Sequence, residues 1–181
     1  IGGGQGVASQ FCKDKKYTNI EPSLELVNRA KEIYAQNGTH IVGNIYNLPF
    51  AAETFDAAFS ITVWFHLKDL NAAAQELSRV LKQNGKFLII NPNPSAYGTW
   101  RGFYTDIEDL DDKTFIGKAS VPHAILPRNT FFKHTQEEIL NSLAKVGLVI
   151  DEVKEFAPMS ARFGEVDKDV DLFVYYQGHK N

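Results

Sequence analysis

Short runs of β-branched, aromatic and alanine-rich residues alternate along the chain with stretches whose apolar positions return at helical spacing. Residues 17–20, 40–43, 56–62 and 86–91 are of the first kind and predict strands. The run 56–62 is almost wholly apolar, as expected of a strand covered on both faces. Between them, Leu24, Val27, Ala30 and Ile33 mark a helix that the Ser23 hydroxyl can cap and that Asn37-Gly38 ends. Ala73, Leu77, Val80 and Leu81 mark a second over 70–82, with Asp69 suited to its start and Asn84-Gly85 to its stop. Residues 7–13 predict a further helix, leaving the glycine run that opens the chain. Strands alternating with helices predict a mostly parallel, doubly wound α/β sheet.

After Pro94 the pattern loosens into a segment rich in glycine, proline and aromatics, with no clear period. From Thr135 it returns: Ile139, Leu140, Leu143 and Val146 lie on one helical face, and acids fill the first turn, where the helix dipole favours them. Residues 148–156 and 170–177 predict an antiparallel closing pair joined by the polar stretch 160–168. The chain thus divides into a core over 1–94, a substrate-side segment over 95–134 and a closing helix and strand pair over 135–181, all in one domain.

Composition narrows the functional classes. The chain has 181 residues, 44% of them hydrophobic, as a single globular domain requires. A net charge of −3 with no basic stripe argues against nucleic acid as the main partner. No run approaches the ~20 apolar residues that a membrane span needs, so no membrane partner is expected. The single cysteine, Cys12, excludes an internal disulfide and suits a reducing, cytoplasmic setting, where it reads as a small buried thiol. His and Cys never cluster at ligand spacing, so no metal is expected. Nothing in the pattern bears on oligomeric state.

The opening run Ile1-Gly2-Gly3-Gly4-Gln5-Gly6, followed one helix length later by Glu21, is the arrangement by which such a sheet meets a nucleoside. Glycines allow close backbone approach, and an acid at the end of the next strand can accept from both ribose hydroxyls. The fold implied places its central strand directly before such a loop. That strand is expected upstream of Ile1 and absent from the sequence at hand.

The succession Gly2-x-Gly4-x-Gly6, Ile20-Glu21-Pro22-Ser23, Gly43-Asn44, Leu48-Pro49-Phe50, His66-Leu67-x-Asp69 and Glu76-Leu77-x-Arg79-Val80-Leu81 resembles the class I S-adenosylmethionine-dependent methyltransferases, within them the small-molecule group called type 11. The resemblance implies a Rossmann-like fold, S-adenosyl-L-methionine as cofactor and methyl transfer to a small-molecule acceptor by in-line displacement. It further implies that Gly2, Gly4 and Gly6 shape the cofactor loop, Glu21 holds the ribose, Asn44 and the Ile45 amide meet the adenine, and Ile61 and Thr62 pass beside the methionine part. Leu48 and Phe50 either cover the adenine or belong to the core.

Asn44 departs from the family's usual Asp. It keeps a carbonyl acceptor but loses charge assistance, a difference of about 1 kcal/mol, or roughly tenfold in affinity. If the acceptor must lose a proton, His66, His134 and Tyr104 are the candidate catalytic groups, followed by His123, Tyr97 and Asp106. Tyr97, Trp100, Phe103 and Tyr104 could line an acceptor site or pack on the sheet, and Arg101 and Arg128 could pair with a carboxylate or lie on the surface. Two alternatives stay open: a non-catalytic binding or scaffold protein of the same fold, and a nicotinamide-dependent oxidoreductase. The second fits poorly, since Gly-x-Gly-x-x-Gly read from Gly2 or Gly4 ends on Val7 or Ser9.

Overall fold

The computed structural model describes residues 1–121, 124–157 and 170–181. Strand β1 (Thr18–Glu21) leads into helix α1 (Leu24–Tyr34), and β2 (Thr39–Val42) returns parallel to β1, with Glu21 opposite Val42. Strand β3 (Phe55–Ile61) is followed by α2 (Leu70–Val80) and β4 (Leu81–Pro92), again parallel, with Ile61 opposite Ile90. A short helix α3 (Tyr97–Arg101) precedes three strands, β5 (Tyr104–Asp109), β6 (Thr114–Val121) and β7 (Ala124–Phe132). Helix α4 (Gln136–Ala144) and strands β8 (Leu148–Phe156) and β9 (Phe173–Lys180) complete the chain. The main sheet runs in the order β3-β4-β9-β8, with β9 antiparallel to both neighbours, so the predicted closing pair is present. The polar stretch 160–168 lies outside the described residues.

Local chemistry explains the helix ends. The Ser23 hydroxyl accepts from the Leu26 amide at 3.3 Å, and the Asp69 carboxylate accepts from the Ala72 amide at 3.0 Å, so Asp69 caps α2 as its position predicts. Thr135 and Glu138 form a reciprocal capping box at the start of α4. Both α2 and α4 lay apolar faces on the main sheet. Ala73 and Ala74 let the backbone come close, while Leu77, Ile139, Leu143 and the strand residues Phe87 and Ile89 fill the space between. Each such side chain removed from water contributes about 1.5–3 kcal/mol.

Three predicted features come out differently. Residues 7–13 form only a five-residue 3-10 stretch, Val7–Phe11. Ser9 is its one buried residue, and its hydroxyl donates back to the Gly6 carbonyl at 2.6 Å, while Phe11 stays in solvent; no apolar stripe exists to anchor a longer helix. Strand β3 is not covered on both faces: Asp56, Ala57 and Ile61 are exposed. The segment 95–134 is ordered as a three-stranded antiparallel sheet, β5-β6-β7, rather than an irregular stretch. Phe115 and Phe131 face each other across β6 and β7 as a stacked pair, and Pro127 is tolerated because β7 is an edge strand.

Strands β1 and β3 do not pair with each other. The first two residues bridge them instead: the Ile1 amine donates to the Phe59 carbonyl and the Gly2 amide to the Ile20 carbonyl, both at 2.8 Å. Below this bridge runs a groove lined by Tyr17, Ile20, Phe50, Phe55 and Phe59. No strand among the described residues occupies this middle position, where the sequence predicts a strand from upstream. No helix among the described residues is long and apolar enough to cross a membrane.

Candidate functional site

The opening glycines turn over the carboxyl ends of the parallel strands, with Gly2, Gly4 and Gly6 all in the left-handed region. Their surroundings differ. A Cβ on Gly2 would stand 2.3 Å from Val63 Cγ2, and one on Gly6 2.7 Å from His40 Cε1, so both positions are closed by packing. A Cβ on Gly4 would meet nothing within 4 Å. Gly4 therefore borders open space. Its amide donates to Glu21 Oε2 at 3.0 Å, and the Ser23 amide donates to Glu21 Oε1 at 3.1 Å. The Glu21 carboxylate, at the end of β1, is thus aimed at the loop and nearly buried, with one further lone pair on each oxygen. Asn19 steadies the same loop by donating to the Gly4 carbonyl at 3.3 Å.

Beside this loop, the ends of the neighbouring strands present apolar residues to solvent. Val42, Tyr46 and Ile61 are each at least 40% exposed. Asn44 is exposed, and its side-chain oxygen accepts from the Tyr46 amide at 2.9 Å, leaving one lone pair. Ile45 places its side chain in the main core, which fixes the backbone that the resemblance assigns to the adenine. Thr62 is a β-branched residue at φ 55, held there by its amide bond to the Ile90 carbonyl at 2.7 Å. Such strain persists only where surroundings enforce it, and it collects at ligand sites.

Leu48 and Phe50 belong to the core. Leu48 packs with Ile20 and Val80, and Phe50 meets Phe55 edge to face. Their turn is pinned from α2: Arg79 donates to the Leu48 and Phe50 carbonyls at 2.9 and 2.7 Å, and Glu76 accepts from the Leu48 amide at 2.7 Å. Arg79 and Glu76 also pair with each other at 2.6 Å, which holds the Glu76 carboxyl below its usual range. This accounts physically for two sequence elements that stand 30 residues apart and have no visible connection in the sequence.

The segment from Thr62 to His66 forms a partition. Val63 touches the Gly2 side of the loop, while Phe65 lines an aromatic cavity on the other side. Tyr97, Trp100, Tyr104, Phe115 and Phe131 form most of its walls, and Phe103 packs behind on Trp100. His66 lies against Phe65 and Phe131, at 4.1 and 4.7 Å between ring centres. Its Nδ1 lies 3.0 Å from the Thr130 carbonyl and must carry the proton there, which leaves Nε2 as the basic nitrogen. Loss of solvent holds the imidazolium form below its ordinary pKa. His134 lines the cavity, with Nε2 donating to the Leu67 carbonyl at 2.6 Å and Nδ1 left to accept.

The remaining candidates fall apart. Burial pushes the Tyr104 hydroxyl well above its ordinary pKa, so it can donate a hydrogen bond but is a poor base. Asp106 is exposed and paired with Lys118, and Arg128 is paired with Glu108. Arg101 grips Asp109 through both terminal nitrogens, at 2.8 and 2.6 Å. His123 lies outside the described residues. Sequence reasoning missed Phe115 and Phe131, which no local period marks in Thr114-Phe115-Ile116-Gly117 or Thr130-Phe131-Phe132-Lys133. Among the described residues no group of three or more His, Cys, Asp or Glu could hold a metal ion.

Comparison with known proteins gives a consistent family. Residues 1–89 match the family described as methyltransferase domain. An uncharacterised methyltransferase of Schizosaccharomyces pombe is 34% identical over 86 residues, covering 42% of this chain and 31% of that protein. The ubiquinone/menaquinone biosynthesis C-methyltransferase of Rickettsia typhi is 32% identical over 120 residues, covering 58% of this chain and 47% of that one. The chain thus spans about a third to a half of the length of these relatives. A solved S-adenosylmethionine-dependent methyltransferase from Methanosarcina mazei superposes with a TM-score of 0.75 at 17% identity, over 99% of this chain and 90% of that one, and so shares its fold.

Proposed function

We propose that this chain, whose residues 1–89 match the methyltransferase-domain family, binds S-adenosyl-L-methionine and transfers a methyl group to a small-molecule acceptor. The observation that carries this reading is the glycine loop left open to approach at Gly4 and held against a carboxylate that still has acceptor capacity. A nucleoside without phosphates suits this donor set. The loop leads into a single 3-10 stretch rather than a helix N-terminus, so the amide cluster that a pyrophosphate favours is weak here.

When bound, the cofactor supplies a methyl carbon already activated by its positive sulfur. Glu21 would accept from the ribose hydroxyls, and Asn44 and the Ile45 amide would meet the adenine. Gly2, Gly4 and Gly6 give the backbone its close approach, and Ile61 and Thr62 flank the methionine part. The acceptor would enter the aromatic cavity across the Thr62–His66 partition. Its alignment and the exclusion of water by the ring walls supply much of the rate enhancement. Where the acceptor must lose a proton, His66 Nε2 can take it, because its surroundings keep the ring neutral near pH 7.

Calorimetric titration of the protein with S-adenosylhomocysteine, and separately with nicotinamide dinucleotides, tests the reading. Binding of the first alone, lost on Glu21→Gln, is expected; binding of a dinucleotide alone would overturn it. A non-catalytic binding role draws on one observation, the Asn44 oxygen already engaged by Tyr46. Cofactor binding with no demethylated product formed against a broad acceptor panel would favour that second reading.

A further inference from the structure

At the turn that follows β2, asparagine in place of an acid changes more than the strength of one hydrogen bond. Asn44 is exposed, and its Oδ1 accepts from the Tyr46 amide at 2.9 Å. A backbone N–H can donate only to the oxygen of a side-chain amide, so this bond decides which atom is which. Oδ1 serves the turn, and the NH2 group is the end with no partner among the described residues. The turn itself is fixed from several directions. Ile45 buries its side chain in the main core, the Asn47 amide donates to the Asn44 carbonyl at 3.4 Å, and the Tyr46 hydroxyl accepts from the Asp69 amide at 3.3 Å, at the start of α2. Asn44 therefore offers a ligand one free lone pair on Oδ1 and, beside it, the two N–H donors of Nδ2. A carboxylate held by the same Tyr46 bond would offer acceptors alone.

We infer that Asn44 makes the nucleobase site tolerant at position 6 of a purine, so that it takes the deaminated nucleoside thioether, with a carbonyl oxygen there, nearly as well as the adenosyl one. This rests on the cofactor reading above, which sets the base against Asn44. The adenine amino group is a donor, and it finds one neutral acceptor here. Such a bond is about half as strong as one to a carboxylate, so little selectivity comes from it. A carbonyl oxygen is an acceptor, and the Nδ2 donors receive it. Against a carboxylate the same oxygen would meet only lone pairs and negative charge, and mismatches of that kind are what let a polar site reject the wrong group. With asparagine that rejection is gone. Asn44 is thus the residue that sets specificity between the two bases.

Calorimetry with three thioethers of homocysteine provides the test: S-adenosyl-L-homocysteine, S-inosyl-L-homocysteine and the analogue built on unsubstituted purine riboside. The last lacks the amino group but, unlike the inosyl compound, adds no proton at N1, so it isolates what the amino group contributes. The parent is expected to bind the adenosyl compound no more than about tenfold tighter than either of the others. Asn44→Asp, which can still accept from the Tyr46 amide, should hold the adenosyl compound equally or more tightly and widen both ratios by at least about fivefold. The parent's ratios are read without any variant, so the outcome does not depend on how the substituted chain folds. Ratios above that limit in the parent, or ratios that Asn44→Asp leaves unchanged, would overturn the inference. Tight adenosyl binding with rejection of the other two removes this inference alone. Binding of none of the three removes the cofactor reading, and the inference with it.

Discussion

Replacing Gly4 by alanine separates the loop's part in binding from its part in folding. The residue sits at φ 52, where an L side chain costs about 1–2 kcal/mol. A more restricted unfolded chain returns roughly 0.4–1 kcal/mol. Because the new methyl would meet nothing within 4 Å, no packing penalty adds to this. The net cost is about 1 kcal/mol, a fall of roughly 2–4 °C in melting temperature for a chain of this size. The same methyl would project into the open space beside Glu21, where the proposed cofactor contact lies. A displacement that costs one hydrogen bond and some contact area weakens S-adenosylhomocysteine at least tenfold, or about 1.4 kcal/mol. Gly2→Ala is the control: its Cβ would lie 2.3 Å from Val63 Cγ2, so it should destabilise the fold by about 1–3 kcal/mol beyond the backbone strain. Thermal melts and calorimetry on both variants check the contrast. If Gly4→Ala binds S-adenosylhomocysteine within twofold of the parent, the glycine loop is not the cofactor site.

Glu21→Gln keeps one acceptor for the two amides it serves, sets its NH2 against the other and loses the charge, so S-adenosylhomocysteine affinity should drop at least tenfold by calorimetry and stability should fall by about 1–3 kcal/mol. Asn44→Asp should bind the same ligand equally or more tightly, since a carboxylate can still accept from Tyr46; a large loss in the same titration would contradict the adenine assignment. Arg79→Ala removes two anchors from the Leu48–Phe50 turn and the partner of Glu76, and should cost about 2 kcal/mol in urea unfolding. Acid unfolding tests Glu76. Its folded pKa lies below the ordinary value of 4.5, so its contribution is full above that value and fades as pH falls through the lower folded one; Glu76→Gln should flatten the slope there. For His66, lowered by desolvation from 6.5, the unfolded chain binds the proton more readily. Stability should therefore fall as pH drops below about 6.5, and His66→Gln should remove that dependence.

What could be read from the sequence depended on whether an element is set by neighbours in the chain. Helices α1, α2 and α4 were visible because Ser23, Asp69 and Thr135 cap them locally and their apolar faces repeat within a few residues. The parallel strands stood out as short apolar runs, and the glycine loop and Glu21 came together as their spacing predicts. The β5-β6-β7 sheet was hidden, because its order rests on cross-strand partners such as Phe115 and Phe131 whose pairing no local period announces. The same holds for the roles of Leu48 and Phe50, which the sequence left between adenine and core. Only the reach of Arg79 across 31 and 29 residues decides for the core. The short stretch after Gly6 erred the other way: helical propensity was present, but nothing lay beneath it to bury.

The Thr62–His66 partition has a consequence for how two occupants would behave together. Val63 leans on the glycine loop and Phe65 on the ring-lined chamber, so one short, strained stretch of backbone answers to both sides. Any ligand that shifts it from one side changes the affinity on the other, and thermodynamic reciprocity makes the two effects equal in size. Donor and acceptor would then sense each other through five residues, not through a moving lid.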